Sequence, residues 1–141
     1  MTEQTPIAQT QLAAAMKEAL APVFRKMQGR ISVVYLFGSS ANGDAGPNSD
    51  IDLAVLLPKS EPVADFDFRL EFYADCSRAL KRNDIDVVIL NGTRNLFLLE
   101  SVVSRGIVLF DDDRELREEY EVQVMHDFID FRDQRLRVMG I

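Results

Sequence analysis

Two short apolar runs constrain this chain more than anything else in it: residues 31–37 (ISVVYLF) and residues 50–57 (DIDLAVLL). Both are rich in β-branched and aromatic side chains and are apolar nearly throughout, the pattern of buried strands. Between them lies GSSANGDAGPNS, residues 38–49, whose Gly, Asn and Pro content marks a loop or tight turn. Residues 83–90 (NDIDVVIL) and 107–110 (IVLF) read as a third and a fourth strand. Helical spacing fills the intervals. From Thr10 to about Met27, Leu12, Met16, Leu20 and Phe24 recur every fourth residue, with Thr10 as cap and Gln28-Gly29 as end. Pro22 lies inside that pattern and is expected to kink or divide the helix. Residues 65–82 carry Phe66, Leu70, Tyr73 and Leu80 on one face. After the Asn91-Gly92 turn, Thr93 is a candidate cap for a helix that runs to about Arg105 and stops at Gly106.

The acidic run at 111–113 suits the positive N-terminus of a last helix, residues 112–138. Its stripe of Leu116, Tyr120, Val124 and Phe128, widened by Phe131, either packs on the core or docks a partner helix. The order α-β-β-α-β-α-β-α implies an α/β fold, a mixed four-stranded sheet covered by helices. With 141 residues, 1–141 reads as a single domain, its first nine residues frayed.

Composition narrows the function. Sixteen lysines and arginines against 23 aspartates and glutamates give a net charge of −7, which disfavours non-specific binding to nucleic acid or anionic membrane. No apolar run approaches the roughly 20 residues of a membrane span. The first ten residues show no basic stretch leading into an apolar one, so no secretory signal is expected. The lone cysteine, Cys76, fits a reducing cytoplasm. The only histidine, His126, has no partner at metal-ligand spacing and reads as structural or exposed.

The chemistry gathers at strand ends. Asp50 and Asp52 are two apart, so strand alternation points both to one face while Ile51 and Leu53 point to the other. Two carboxylates side by side repel, and hard oxygen donors suit Mg²⁺ or Mn²⁺ rather than zinc. Asp84 and Asp86 repeat the arrangement at the third strand, Asp84 reading as a turn or cap residue. Were the strands neighbours, three carboxylates at one sheet edge would form a cradle for two metals about 3.5–4 Å apart. Directly after the first strand, Gly38 permits close backbone approach to a ligand, and Ser39 with the loop N–H groups can donate to phosphate oxygens. A phosphate grip followed by a metal-binding pair suits nucleotide chemistry.

Gly38-Ser39, ten residues, then Asp50-Ile51-Asp52 resembles the motif of the DNA polymerase beta nucleotidyltransferase superfamily. Residues 33–57 (VVYLFGSSANGDAGPNSDIDLAVLL) are similar to the minimal nucleotidyltransferases (MNT), and Asp86 in NDIDVVIL matches that family's third carboxylate. The resemblance implies a polymerase-beta-like nucleotidyltransferase fold and an antitoxin that transfers AMP from ATP to a tyrosine of a HEPN-family ribonuclease toxin. By it, Gly38 and Ser39 would hold the β- and γ-phosphates, with Ser40 and Ser49 as further nucleotide-binding candidates. Asp50 and Asp52 would bind two Mg²⁺ ions, and Asp86 would help bind metal and act as base. The chain departs from the pattern at Asn42, where many members carry arginine or lysine; Arg30, Arg94 or a partner's arginine would have to substitute.

Three functions compete: the transferase antitoxin, an antitoxin that neutralises by occlusion with weak catalysis, and a small-substrate transferase of the aminoglycoside type. The third usually needs an extra helical domain, and only about 30 residues follow the last strand here. Tyr35, Tyr73 and Tyr120 read as structural.

Overall fold

A computed structural model describes residues 6–38, 41, 50–59 and 66–140. Among them the chain runs α1 (Pro6–Lys26), β1 (Val33–Phe37), β2 (Ile51–Leu56), α2 (Phe66–Leu80), β3 (Ile85–Ile89), a 3-10 turn (Leu90–Gly92), α3 (Leu96–Arg105), β4 (Ile107–Asp111) and α4 (Arg114–Val138). The strands form one mixed sheet in the order β3-β2-β1-β4, with β1 antiparallel to β2 and β4, and β2 parallel to β3. The expectation of a mixed α/β fold with a four-stranded sheet therefore holds.

Strand alternation divides the side chains between two layers. Ile51, Leu53 and Val55 of β2 join Val34 and Leu36 of β1 and Ile85 and Val87 of β3 against α1 and α2, around Leu20, Met27 and Phe72, all fully buried. On the other face, Val33, Tyr35 and Phe37 meet Ala54, Leu56, Leu99, Val102 and Val124, beneath α3 and α4. Asp75, almost wholly buried, fastens α2 to α1 through Lys26 (2.8 Å) and also pairs with Arg78.

Several local expectations need correction. α1 starts at Pro6, inside the segment expected to be frayed, and encloses Thr10 rather than being capped by it. Proline suits a first helical position because its missing N–H has no partner there anyway. The helix also passes through Pro22 undivided. Pro22 and Glu18 are exposed, so the Glu18 carbonyl that loses its donor turns to water rather than into the core. At α3 the cap is Asn95, whose side chain accepts from the Leu98 N–H (3.2 Å); Thr93 instead accepts from the Asn95 N–H. The last helix begins at Arg114, with Asp113 as its cap accepting from the Leu116 N–H (3.1 Å).

Candidate active site

The sheet brings the expected carboxylates to one end. β1 ends at Phe37, which lies opposite Asp52 near the start of β2. β3 runs parallel to β2 with Asp86 opposite Asp52. The Ile51 N–H donates to the Asp84 carbonyl (2.9 Å), so the pairing begins one residue before β3. Asp52 and Asp86 share the face of Ala54 and Leu56, at the end that α3 and α4 leave uncovered: Asp52 is half-buried, Asp86 and Asp50 exposed. Paired strands lie about 4.8 Å apart, so the two side chains stand next to each other. Partial burial, then the charge of Asp86, then that of Asp50 raise the Asp52 carboxyl above the ordinary aspartate range. Asp52 thus lies in the field of both other carboxylates.

Gly38 closes the other side. Its φ of +78° lies in the region that favours glycine, and a Cβ built there would run into the Asp52 carboxylate. The backbone at Gly38 therefore presses directly on the Asp52 carboxylate. Ser39, Ser40, Asn42 and Ser49 lie outside the described residues.

One residue escaped the sequence reading. α2 ends with Lys81 at φ +58° and the Arg82 N–H donating back to the Ser77 carbonyl (3.2 Å), a helix stop that normally takes glycine. Arg82 then forks onto Asp84, Nε to Oδ1 at 2.5 Å and Nη2 to Oδ2 at 2.6 Å, and senses the charge of Asp50. This fork holds Asp84 well below the usual carboxylate range and fixes the approach to β3 two residues before Asp86. A helix-stop position occupied by lysine hides the signal in the sequence. Two of the three substitutes considered for Asn42 lie away from the site. Arg30 precedes β1 and binds Glu71 (3.1 Å), while Arg94 follows β3, and both lie at the opposite end of the strands from Asp52. Cys76 is buried and free, its thiol pushed up to about 12 by burial, and His126 is exposed. Tyr35 donates to Glu121 (2.8 Å), Tyr73 to the Asn83 carbonyl (2.8 Å), and Tyr120 is half-buried with its hydroxyl enclosed, which fits structural roles.

Among the described residues, no three histidine, cysteine, aspartate or glutamate side chains converge as they stand to hold a metal ion. The donor chemistry nonetheless fits a hard divalent cation, since Asp52 bears the mutual repulsion that such an ion relieves. No helix among these residues is long and apolar enough to cross a membrane.

A glycine packed on a carboxylate, with a second carboxylate in register on the neighbouring parallel strand, is an arrangement suited to nucleotidyl transfer. Residues 18–115 match the family "Polymerase beta, Nucleotidyltransferase", and the chain belongs to it. A chain in the crystal structure of a toxin–antitoxin with AMP-PNP superposes at a TM-score of 0.72 and 26% identity, covering 88% of this chain and 95% of that one. A chain of the MntA-HepT toxin–antitoxin gives 0.67 at 24% identity, covering 90% and 96%. A chain of the complex of tri-AMPylated Shewanella oneidensis HEPN toxin with MNT antitoxin gives 0.68 at 23%, covering 91% and 96%. None of the curated proteins matches. The resemblance to the minimal nucleotidyltransferases read from residues 33–57 is borne out.

Proposed function

We propose that this chain is an antitoxin that transfers AMP from ATP to a tyrosine hydroxyl of a HEPN-family ribonuclease toxin and so silences it. The observation that carries this reading is the placement of Asp86 beside Asp52, with Gly38 pressed against the same carboxylate. The likeness to a toxin–antitoxin chain with AMP-PNP supports the nucleotide and the partner.

In this reading Asp50, Asp52 and Asp86 hold two Mg²⁺ ions, with ATP as co-substrate. When bound, the metal neutralises phosphate charge and eases ionisation of the attacking hydroxyl, whose unperturbed pKa is about 10. The loop from Gly38 through Ser39 and Ser40 to Ser49 grips the triphosphate. The tyrosine oxygen forms a bond to the α-phosphorus, the bond from that phosphorus to the bridging oxygen breaks, and pyrophosphate leaves. The phenolic proton passes to Asp86. Arg82 keeps Asp84 neutralised and the start of β3 in place. The reaction belongs in the cytoplasm, where ATP and Mg²⁺ are available.

Intact mass of the partner after incubation with this chain, ATP and Mg²⁺ tests the proposal. Whole AMP units should appear with wild type and vanish with Asp50→Ala plus Asp52→Ala, a loss of roughly 10⁴-fold in rate. A partner silenced equally by the double variant would establish occlusion instead, the reading favoured by the exposed apolar surface of α4.

A further inference from the structure

We propose that the groove between α3 and the outer half of α4 docks an α-helix of the partner protein, apolar on one face and flanked by carboxylates; this rests on the antitoxin reading above. Phe97, in the first turn of α3, meets Phe128 and Phe131 of α4 edge to face, with ring centroids 5.9 and 5.7 Å apart. Leu136 and Met139 extend the same wall, and together they line a groove of about 300 Å³. Phe97 nevertheless stays 56% exposed and Met139 61%. Contiguous apolar surface of this kind marks a contact site. Part of the stripe that sequence reading divided between core and partner is thereby assigned. Leu116, Tyr120 and Val124 belong to the core, and the chain beyond Val124 outgrows the sheet it packs on.

Charge selects the occupant. Among the described residues the charged side chains lining the groove are Arg132, which also lies 4.0 Å from Asp133, and Arg135, and no carboxylate lines the groove itself, although the chain as a whole carries −7. The Arg135 guanidinium lies 5.7 Å over the Phe131 ring, which holds it at the rim. A helix laid along a two-helix groove offers anchors every three to four residues, with acidic neighbours meeting the two arginines. The α4 of a second copy does not supply such a helix. Its acidic stretch at the start of α4 keeps Leu116 and Tyr120 in its own core. There Glu118, Glu119 and Glu121 are held by Arg114, Lys59 and Arg117.

The test measures the dissociation constant between this chain and a HEPN-family toxin, by calorimetry, together with AMP transfer by intact mass. Phe97→Ser and Arg135→Glu should each weaken the complex by about tenfold or more, with circular dichroism and melting temperature unchanged. Both should need more partner to reach half-maximal transfer yet keep the maximal rate. Asp50→Ala plus Asp52→Ala should bind as wild type does and transfer nothing. Wild-type affinity in both groove variants overturns the docking site. So does a wild-type chain that sediments as a dimer which Phe97→Ser dissociates. If wild type binds in the groove but transfers no AMP, the docking site stands and only the transfer falls. If wild type does not bind the partner at all, the antitoxin reading falls and takes the docking site with it.

Discussion

The two faces of the sheet are built alike and finished differently. Beneath α1 and α2 the apolar side chains close on one another, and the buried charge of Asp75 is matched by Lys26 and Arg78. Beneath α3 and α4 the packing is smaller and ends early. At one end it gives way to Asp52 and Asp86, and along α4 it gives way to the exposed rings of the aromatic groove. One layer supplies the stability that lets the other keep repelling carboxylates together and leave apolar surface uncovered. Substitutions in the two layers should therefore separate stability from activity.

The sharpest test lies in the closed layer. Phe72→Ala should cost about 4 kcal/mol, read from the urea midpoint, because it empties a site with no exposure. Transfer per folded molecule should be retained in the cold; loss of specific activity there would break the division of labour. In the open layer, Gly38→Ala should reverse the pattern. A methyl group driven into the Asp52 carboxylate should slow transfer roughly 30-fold, about 2 kcal/mol, with a smaller change in urea midpoint. Arg82→Gln should slow it about tenfold by freeing Asp84 and the start of β3. Arg82→Lys should recover only part, since an ammonium cannot form the two-pronged contact.

The smallest effect concerns pH. Because the folded state raises the Asp52 pKa, the native chain holds that proton more tightly than the unfolded chain does, and stability falls as pH rises through the shifted value. Without metal, Asp52→Asn should therefore melt higher at neutral pH, by at most about 1 kcal/mol or roughly 3 °C. The gap should close below the ordinary aspartate pKa of about 4, and Mg²⁺ should reverse it by stabilising only the wild type. A variant that melts lower at neutral pH without metal would show that Asp52 is not under repulsion.

How far the sequence could be read follows the same division. The strands were plain because β-branched runs flanked by Gly, Pro and Asp have few other uses, and period-two alternation alone put Asp50 and Asp52 on one face. Asp86 could be placed only through the family resemblance, since its approach to Asp52 depends on parallel pairing between strands. The cap at Asn95, the passage through Pro22 and the start at Pro6 were misjudged because side-chain orientation and solvent exposure decide them, and neither is local in sequence. Arg82 was missed because its role depends on a left-handed lysine, for which no residue pattern is diagnostic. The stripe on α4 gave its residues but not the point where core ends and surface begins, which is set by the length of the sheet.

The pairing of β1 has a consequence for the chain while it is being made. β1 sits in the middle of the sheet, with Val33 paired on one side to Leu56 and on the other to Asp111. At ordinary rates of synthesis, the second partner leaves the ribosome roughly 4–16 s after the first strand. The ladder of β1, β2 and β3, and with it the approach of Asp86 to Asp52, can assemble in that interval while one edge of β1 stays open. Only the arrival of β4 seals that edge, and α4 follows last of all. The nascent chain thus acquires its chemistry before its grip on a partner, and an interrupted one would carry the carboxylates without the helix that docks.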